Sequence, residues 1–272
     1  MHMLTKSNKG LALLFAVIIL SGFTNNASAL TLDSVSHIHH VKVVENKVLV
    51  LTHEGLYELV SKNDMKLVGK DKIDVMGFTT LGKALFASGH PSQGSKMPNP
   101  IGLVKSLDGG STWKDVSLVG KVDVHFLEGA GSDLYGADSQ TGNLIYSADS
   151  GKTWSSLGSN TFTDIAVSPN TSGMAIAINN SELLLTENAF KSTTKIKNGL
   201  KFTQVEWRNS GLYGLSGPSL YKSTNSGKTW TKLNTFKGVP GILSASDQMM
   251  LVTVGSDIYT SSNAGKKFKV VS

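Results

Sequence analysis

The side chains best suited to chemistry in this 272-residue chain are crowded into its first half. His37 and His39 stand two residues apart, as do Asp74 and Met76, and then Asp123 and His125. His53-Glu54, His90 and Asp138 follow the three pairs in turn. Residues two apart on a strand project to the same side, so each pair presents two ligand-type groups in one direction. Neutral imidazoles with a carboxylate suit Zn²⁺ or Cu²⁺, and a methionine among them tilts the choice toward copper. Without a metal, the same groups would hydrogen-bond a polar ligand, a glycan or a protein. A third chemistry needs two carboxyls about 5–10 Å apart across a sugar; for such a hydrolase Asp74, Asp123 and Glu54 are the candidates. The candidate set is therefore His37, His39, His53, Glu54, Asp74, Met76, His90, Asp123 and His125, with Asp138 beside it.

These residues must be brought together by something, and the chain carries a repeat able to do it. Ser106-Leu-Asp-Gly-Gly-Ser-Thr-Trp113 returns as Ser147-Ala-Asp-Ser-Gly-Lys-Thr-Trp154 and as Ser223-Thr-Asn-Ser-Gly-Lys-Thr-Trp230. A worn copy spans Ser261–Phe268, and a fainter one, Thr186–Thr193, fills the gap. The starts lie 41, 39, 37 and 38 residues apart, a regular period within the roughly 20–50 residues that marks a repeat architecture. Each copy follows an apolar run and precedes a short alternating one, the pattern of two strands joined by a tight turn. Asp108, Asp149 and Asn225 fold their side chains back on backbone N–H groups. Gly110, Gly151 and Gly227 supply positive φ, and Trp113, Trp154 and Trp230 cover the turn with a large ring. All nine read as structural.

The pattern S-x-D-x-G-x-T-W resembles the Asp-box, or bacterial neuraminidase repeat, of β-propellers. The resemblance implies an all-β chain forming a single propeller over 30–272. At about 39 residues per unit there is room for six four-stranded blades, at about 36–70, 71–119, 120–159, 160–198, 199–236 and 237–272; five or seven also fit the spacing. Second strands are expected at Leu49-Val-Leu, Leu85-Phe-Ala, Leu134-Tyr-Gly, Ala175-Ile-Ala, Leu212-Tyr-Gly and Leu251-Val-Thr. The segment Leu30–Val35 is expected to pair with the last blade and close the ring.

In a propeller the start of each inner strand and the end of the second lie on one face, at the channel mouth, so the candidate residues converge there. Aligned by their apolar anchors, the fourth and fifth units place Thr163/Ile165 and Thr203/Val205 at the paired positions. The end of the second strand likewise declines from His53, His90 and Asp138 to Asn179, Ser216 and Gly255. His40 breaks the alternation and is expected to face a neighbouring blade or solvent, and Met76 also reads as core filling. The long loop Pro91–Pro100 rises from the same face, where long loops on a rigid scaffold often carry function.

Residues 1–29 read as a secretory leader: Lys6 and Lys9, an apolar run from Leu11 to Leu20, and Ala27-Ser-Ala29 as the cleavage site. No transmembrane segment is expected in the mature chain, and the absence of cysteine argues against a lipid anchor. A secreted or extracytoplasmic monomer is expected. Removing the leader leaves 24 basic and 20 acidic residues. Arg208 is the one arginine and the lysines are scattered, which argues against a nucleic-acid partner.

The motifs His37-Ile-His39, Thr52-His-Glu-Gly-Leu56, Met76-Gly-Phe78, Ser88-Gly-His-Pro91, Asn99-Pro-Ile-Gly-Leu103 and Val122-Asp-Val-His125 are similar to those of small secreted bacterial Asp-box propellers, termed glycosyl-hydrolase-like or sortilin-like. Sialidases with this repeat clamp a substrate carboxylate with three arginines. A single arginine cannot build that clamp, and lysine lacks the bidentate fork. The sequence therefore favours a non-catalytic propeller binding a ligand or partner through a histidine-rich, metal-capable face. A glycoside hydrolase other than a sialidase is the alternative.

Overall fold

The computed structural model describes residues 30–35, 37–70, 73–92 and 95–271. The leader expected over 1–29 lies outside them. Among the described residues no helix is long and apolar enough to cross a membrane.

Six antiparallel four-stranded sheets follow one another along the chain in strict sequence order. Blade 1 is Ile38–Val44, Lys47–Thr52, Gly55–Ser61 and Asp64–Leu67. Blade 2 is Ile73–Leu81, Ala84–Pro91, Leu103–Ser106 and Lys114–Ser117, and blade 3 is Val124–Ala130, Asp133–Asp138, Asn143–Ser147 and Ser155–Ser159. Blade 4 is Asp164–Val167, Ala175–Asn179, Glu182–Thr186 and Thr194–Ile196. Blade 5 is Phe202–Arg208, Gly211–Ser216, Ser219–Ser223 and Thr231–Thr235, and blade 6 is Pro240–Ala245, Met250–Val254, Asp257–Ser261 and Lys269–Val270. All six fall within the expected boundaries, and every expected second strand is one.

The second strands are apolar without alternation because each is covered on both faces. In blade 1, Leu49 and Leu51 pack with Ile73, Val75 and Leu85 of blade 2, while Val48 and Val50 pack with Leu251 and Ile258 of blade 6. Equivalent clusters fill the other junctions, so the core is a ring of six interfaces around a channel.

Ring closure differs from expectation. Leu30 bridges to Met65 on the outer strand of blade 1, and Leu32 N donates to Lys62 O at 3.2 Å. That outer strand has an open edge with unpaired backbone groups, which the extra segment satisfies. Side chains from both ends seal the junction: Leu30 and Leu32 pack with Ile258 and Val271. Val43 N also donates to Ser244 Oγ of blade 6 at 3.0 Å.

The repeated octapeptides form one turn, used five times. Ser106 Oγ donates to Asp108 Oδ1 at 2.7 Å and accepts Gly110 N at 2.8 Å, while Thr112 donates to Asp108 through its N at 2.9 Å and its Oγ1 at 2.6 Å. Asp149 is held identically by Ser147 and Thr153, and Asn188, Asn225 and Asn263 accept the same backbone contact. These hydrogen bonds hold the Asp108 and Asp149 carboxyls down at about 2, so both stay ionised and occupied within their own turns. Trp154 and Trp230 close the turn by donating Nε1 to the carbonyls of Gly151 and Gly227 at 3.0 and 2.8 Å. Phe190 adopts φ 59° where the other copies have glycine.

Candidate functional site

One irregularity of the inner strands positions the candidate side chains. In blade 1, Ile38 pairs with Thr52 and His40 with Leu51, leaving His39 as an extra residue. Met76, His125 and Thr203 are the extra residues of the same β-bulge in blades 2, 3 and 5. A bulge re-aims side chains and turns the strand. Here it brings His39 and His125 into the ligand groups at the rim, while His40, after the bulge of blade 1, lines the channel.

At the junction of blades 1 and 2, His37, His39 and His53 form a knot of rings with centroids 4.3–5.1 Å apart. Asp74, from blade 2, spans two of them: His39 Nε2 lies 2.8 Å from Oδ1, and His53 Nδ1 lies 2.8 Å from Oδ2. His39 Nε2 and His53 Nδ1 are themselves 3.2 Å apart. If both nitrogens donate to the carboxylate, two N–H groups face each other with no lone pair between them. If either proton moves to the far nitrogen, a lone pair meets a carboxylate oxygen. No tautomer satisfies all three contacts, whereas a cation among these atoms would take a lone pair from each. Burial pushes the His39 imidazole below its ordinary value against the pull of Asp74, favouring the neutral form that binds metals.

At the junction of blades 2 and 3, Asp123 Oδ2 meets His125 Nε2 at 2.6 Å, Ser139 Oγ at 2.8 Å and His90 Nε2 at 3.3 Å. The Asp123 side chain is 8 % exposed, and its Oδ1 is buried without a hydrogen-bond partner. His90 Nδ1 donates to Asn99 Oδ1 at 2.8 Å. That bond keeps the proton on Nδ1, so a neutral His90 turns the Nε2 lone pair toward Asp123. A carbonyl acceptor behind an imidazole is the usual arrangement around a metal-ligating histidine.

The structure thus gathers seven of the nine candidates into two groups, His37/His39/His53 with Asp74 and His90/Asp123/His125. Glu54 and Met76 join neither. Glu54, at a hairpin tip, lies near enough to Tyr57 to raise the phenol's pKa, after the larger effect of burial. Met76 lines the narrow cavity in the channel. Asp138 closes its own turn, accepting from Gln140 N at 2.9 Å and Thr141 Oγ1 at 2.7 Å.

Two sequence expectations need correction. Ile165 and Val205 are core residues, 2 % and 4 % exposed, not rim residues. In blade 5 the bulge residue is Thr203, so the equivalent of Asp123/His125 is Lys201/Thr203; an apolar anchor cannot locate a residue that the bulge has added. His40 lines the channel, where burial, aided by Lys42, depresses its imidazole to about 3.

The channel holds a polar belt that the sequence reading missed. Lys42 of blade 1 pairs across it with Glu128 of blade 3, and Glu206 of blade 5 pairs with Arg208. Lys42, Glu128 and Glu206 each stand three residues after a bulge, so alignment on the bulge would have revealed them. Asp164 accepts Val205 N at 2.7 Å, and burial pushes its carboxyl up to about 8, with Glu128 adding to the effect. A cavity of about 120 Å³ reaches this belt. A larger concavity of about 940 Å³ lies around the turns at the other end of the inner strands, including Glu45, Arg208 and Asp247, and contains no histidine. Its volume exceeds that of the channel cavity, but converging ligand atoms, not size, identify the candidate site.

No protein-family model matches the chain, and no curated protein matches it. Among solved structures, YCF48 bound to D1 peptide is 14 % identical over 86 % of this chain and 80 % of its own, with a TM-score of 0.50. PorZ, an essential bacterial surface component of the type-IX secretion system of Porphyromonas gingivalis, is 14 % identical over 87 % of this chain, with a TM-score of 0.57. The chain spans about a third of PorZ, 33 % of its length. At such identity the likeness carries architecture alone, and it agrees with the sheet order derived above: the chain is a six-bladed β-propeller.

Proposed function

We propose that this chain is a secreted, non-catalytic partner-binding propeller of the Asp-box type. Its binding surface is the histidine–carboxylate rim of blades 1–3, which takes Zn²⁺ or Cu²⁺. The observation that carries this reading is the crowding of ligand atoms between blades 1 and 2, where two imidazole nitrogens and both oxygens of Asp74 lie within 2.8–3.2 Å of their neighbours. A ring of packed blades holds these groups in place, so that binding orders little. The carboxyls proposed for a hydrolase are otherwise engaged: Asp74 and Asp123 by imidazoles, and Glu54 beside Tyr57. The self-closing turns at Asp108 and Asp149 support the Asp-box reading. YCF48 was solved with a D1 peptide and PorZ serves at a bacterial surface, so comparable propellers bind or work among protein partners.

Calorimetric titration of the chain 30–272 with zinc and copper tests the proposal. Binding at micromolar or tighter dissociation constants, weakened in His39→Ala and His125→Ala, is the expected result. Binding no tighter than micromolar that ignores both variants would overturn the metal reading. Turnover of chromogenic glycosides that Asp74→Asn abolishes would replace binding with hydrolysis.

A further inference from the structure

We infer that the rim carries two divalent-metal sites, generated from one design by the blade repeat. This rests on the metal reading above and adds the number of ions and their ligands. The strand register shows the relationship. Ile38, Val75 and Val124 occupy one structural position in blades 1, 2 and 3, paired with Thr52, Gly89 and Asp138. The residue after that partner is His53, His90 or Ser139, and the residue before the inner-strand anchor is His37, Asp74 or Asp123.

His53 of blade 1 meets Asp74 of blade 2 at 2.8 Å, and His90 of blade 2 meets Asp123 of blade 3 at 3.3 Å. These are the same two positions, moved on by one blade. The third member enters from opposite sides. Between blades 1 and 2 it is His39, the bulge residue of the preceding blade; between blades 2 and 3 it is His125, the bulge residue of the following blade. Met76 holds the bulge position of blade 2 and supplies no imidazole to either site. In blade 3 the equivalent residue, just past the second strand, is Ser139, so the series stops after two.

Each group is a complete tridentate set. His37, His39 and His53 converge beside Asp74; His90, Asp123 and His125 converge with Asn99 behind His90. Tetrahedral zinc with bonds of about 2.0–2.1 Å holds its ligand atoms roughly 3.3 Å apart. One pair in each group already has that spacing, 3.2 Å for His39 to His53 and 3.3 Å for His90 to Asp123, and the ligand atoms of each group all lie within 4.8 Å of one another; the 2.6 Å hydrogen bond from His125 to Asp123 must lengthen as an ion enters. One set offers three imidazole nitrogens beside a carboxylate and the other two imidazoles with a carboxylate; neither has a thiolate, and both suit Zn²⁺. Each leaves a coordination position for water or a partner's side chain.

Zinc content of the chain 30–272, measured by elemental analysis after loading and desalting, tests the inference, with cobalt absorption reporting coordination. Two ions per chain are expected, falling to one in His53→Ala, one in His90→Ala and none in the double variant, each with an unchanged thermal melt. Should alanine unsettle the rim, His53→Asn and His90→Asn retain a polar side chain and must give the same counts. One ion that either variant removes would overturn the two-site inference and leave the metal reading standing. No retained ion, with no heat of zinc binding in the calorimetric titration, would end both, whereas heat at a single equivalent would overturn the two-site inference alone.

Discussion

Asn99 Oδ1 accepts the Nδ1 proton of His90 at 2.8 Å, and the opposite nitrogen of that ring, Nε2, points at Asp123. Asn99 lies on the loop between the second and third strands of blade 2, His90 on the second strand itself. The loop therefore sets which nitrogen of a strand residue carries the lone pair. Removing such a support usually weakens metal affinity about 10–100-fold. Asn99→Ala should lose zinc affinity in this range at the site between blades 2 and 3 and leave the other site unchanged. Competition titration against a chelator measures it, in the His53→Ala background for this site and in the His90→Ala background for the other; unchanged affinity in the first would remove Asn99 from the design.

Met76 occupies in blade 2 the position that His39 occupies in blade 1. If the two junctions share one geometry, Met76→His places a further imidazole beside His90 and Asp123. Zinc should bind there more tightly than in the parent, while copper(I), which favours thioether ligands, should gain nothing. Parallel titrations with both ions check this. Weaker zinc binding in the variant would mean that the junctions are not built alike.

The same equivalence explains what could be read from sequence. The blade boundaries were legible because the octapeptide returns at nearly constant spacing, and the second strands because burial on both faces made them continuously apolar. The rim histidines were legible through their two-residue spacing, which survives in blades 1–3. The bulge was not legible, since an inserted residue leaves the apolar pattern on either side intact. For that reason the direction of His40 was hidden, while Val205 and Ile165 stand in the register place of Leu127, two residues past the rim, where one apolar anchor looks like the next. The division of the rim into two groups was equally hidden: it depends on Asp74 and Asp123 each reaching back to the preceding blade.

The turns offer a test of stability. Gly151 has φ +82°, and a Cβ there would lie 2.2 Å from Leu103 Cδ2 and 3.1 Å from Leu134 Cδ1. Gly131, with φ +62°, has nothing within 4 Å of the same position. Alanine at Gly131 should therefore cost only the left-handed backbone, about 1 kcal/mol. Gly151→Ala adds a clash between blades 2 and 3, for a total of about 2–4 kcal/mol. Urea unfolding of the two variants beside the parent measures the difference, and equal losses would show that the junction yields to the added methyl.

Asp164 gives the fold a pH dependence whose sign can be worked out. In the folded channel its carboxyl is pushed up to about 8, chiefly by burial and further by Glu128 and Glu206, against the pull of Lys42 and the Val205 N–H. Unfolded, it returns to its ordinary value of 3.8. Between these limits the folded chain holds a proton that the unfolded chain has released, so its stability falls as pH rises. The slope from this one group reaches about 1.4 kcal/mol per pH unit, and it vanishes below about pH 4 and above about pH 8, where both states agree. Asp164→Asn keeps an oxygen to accept Val205 N and cannot ionise. The variant should therefore gain stability relative to the parent steadily from pH 5 to pH 8, the effects of His40, Lys42, Glu128 and Glu206 largely cancelling in the difference. Urea unfolding of both proteins at pH 5, 6.5 and 8 measures it. A constant difference would mean that Asp164 ionises in the folded channel as it does in water.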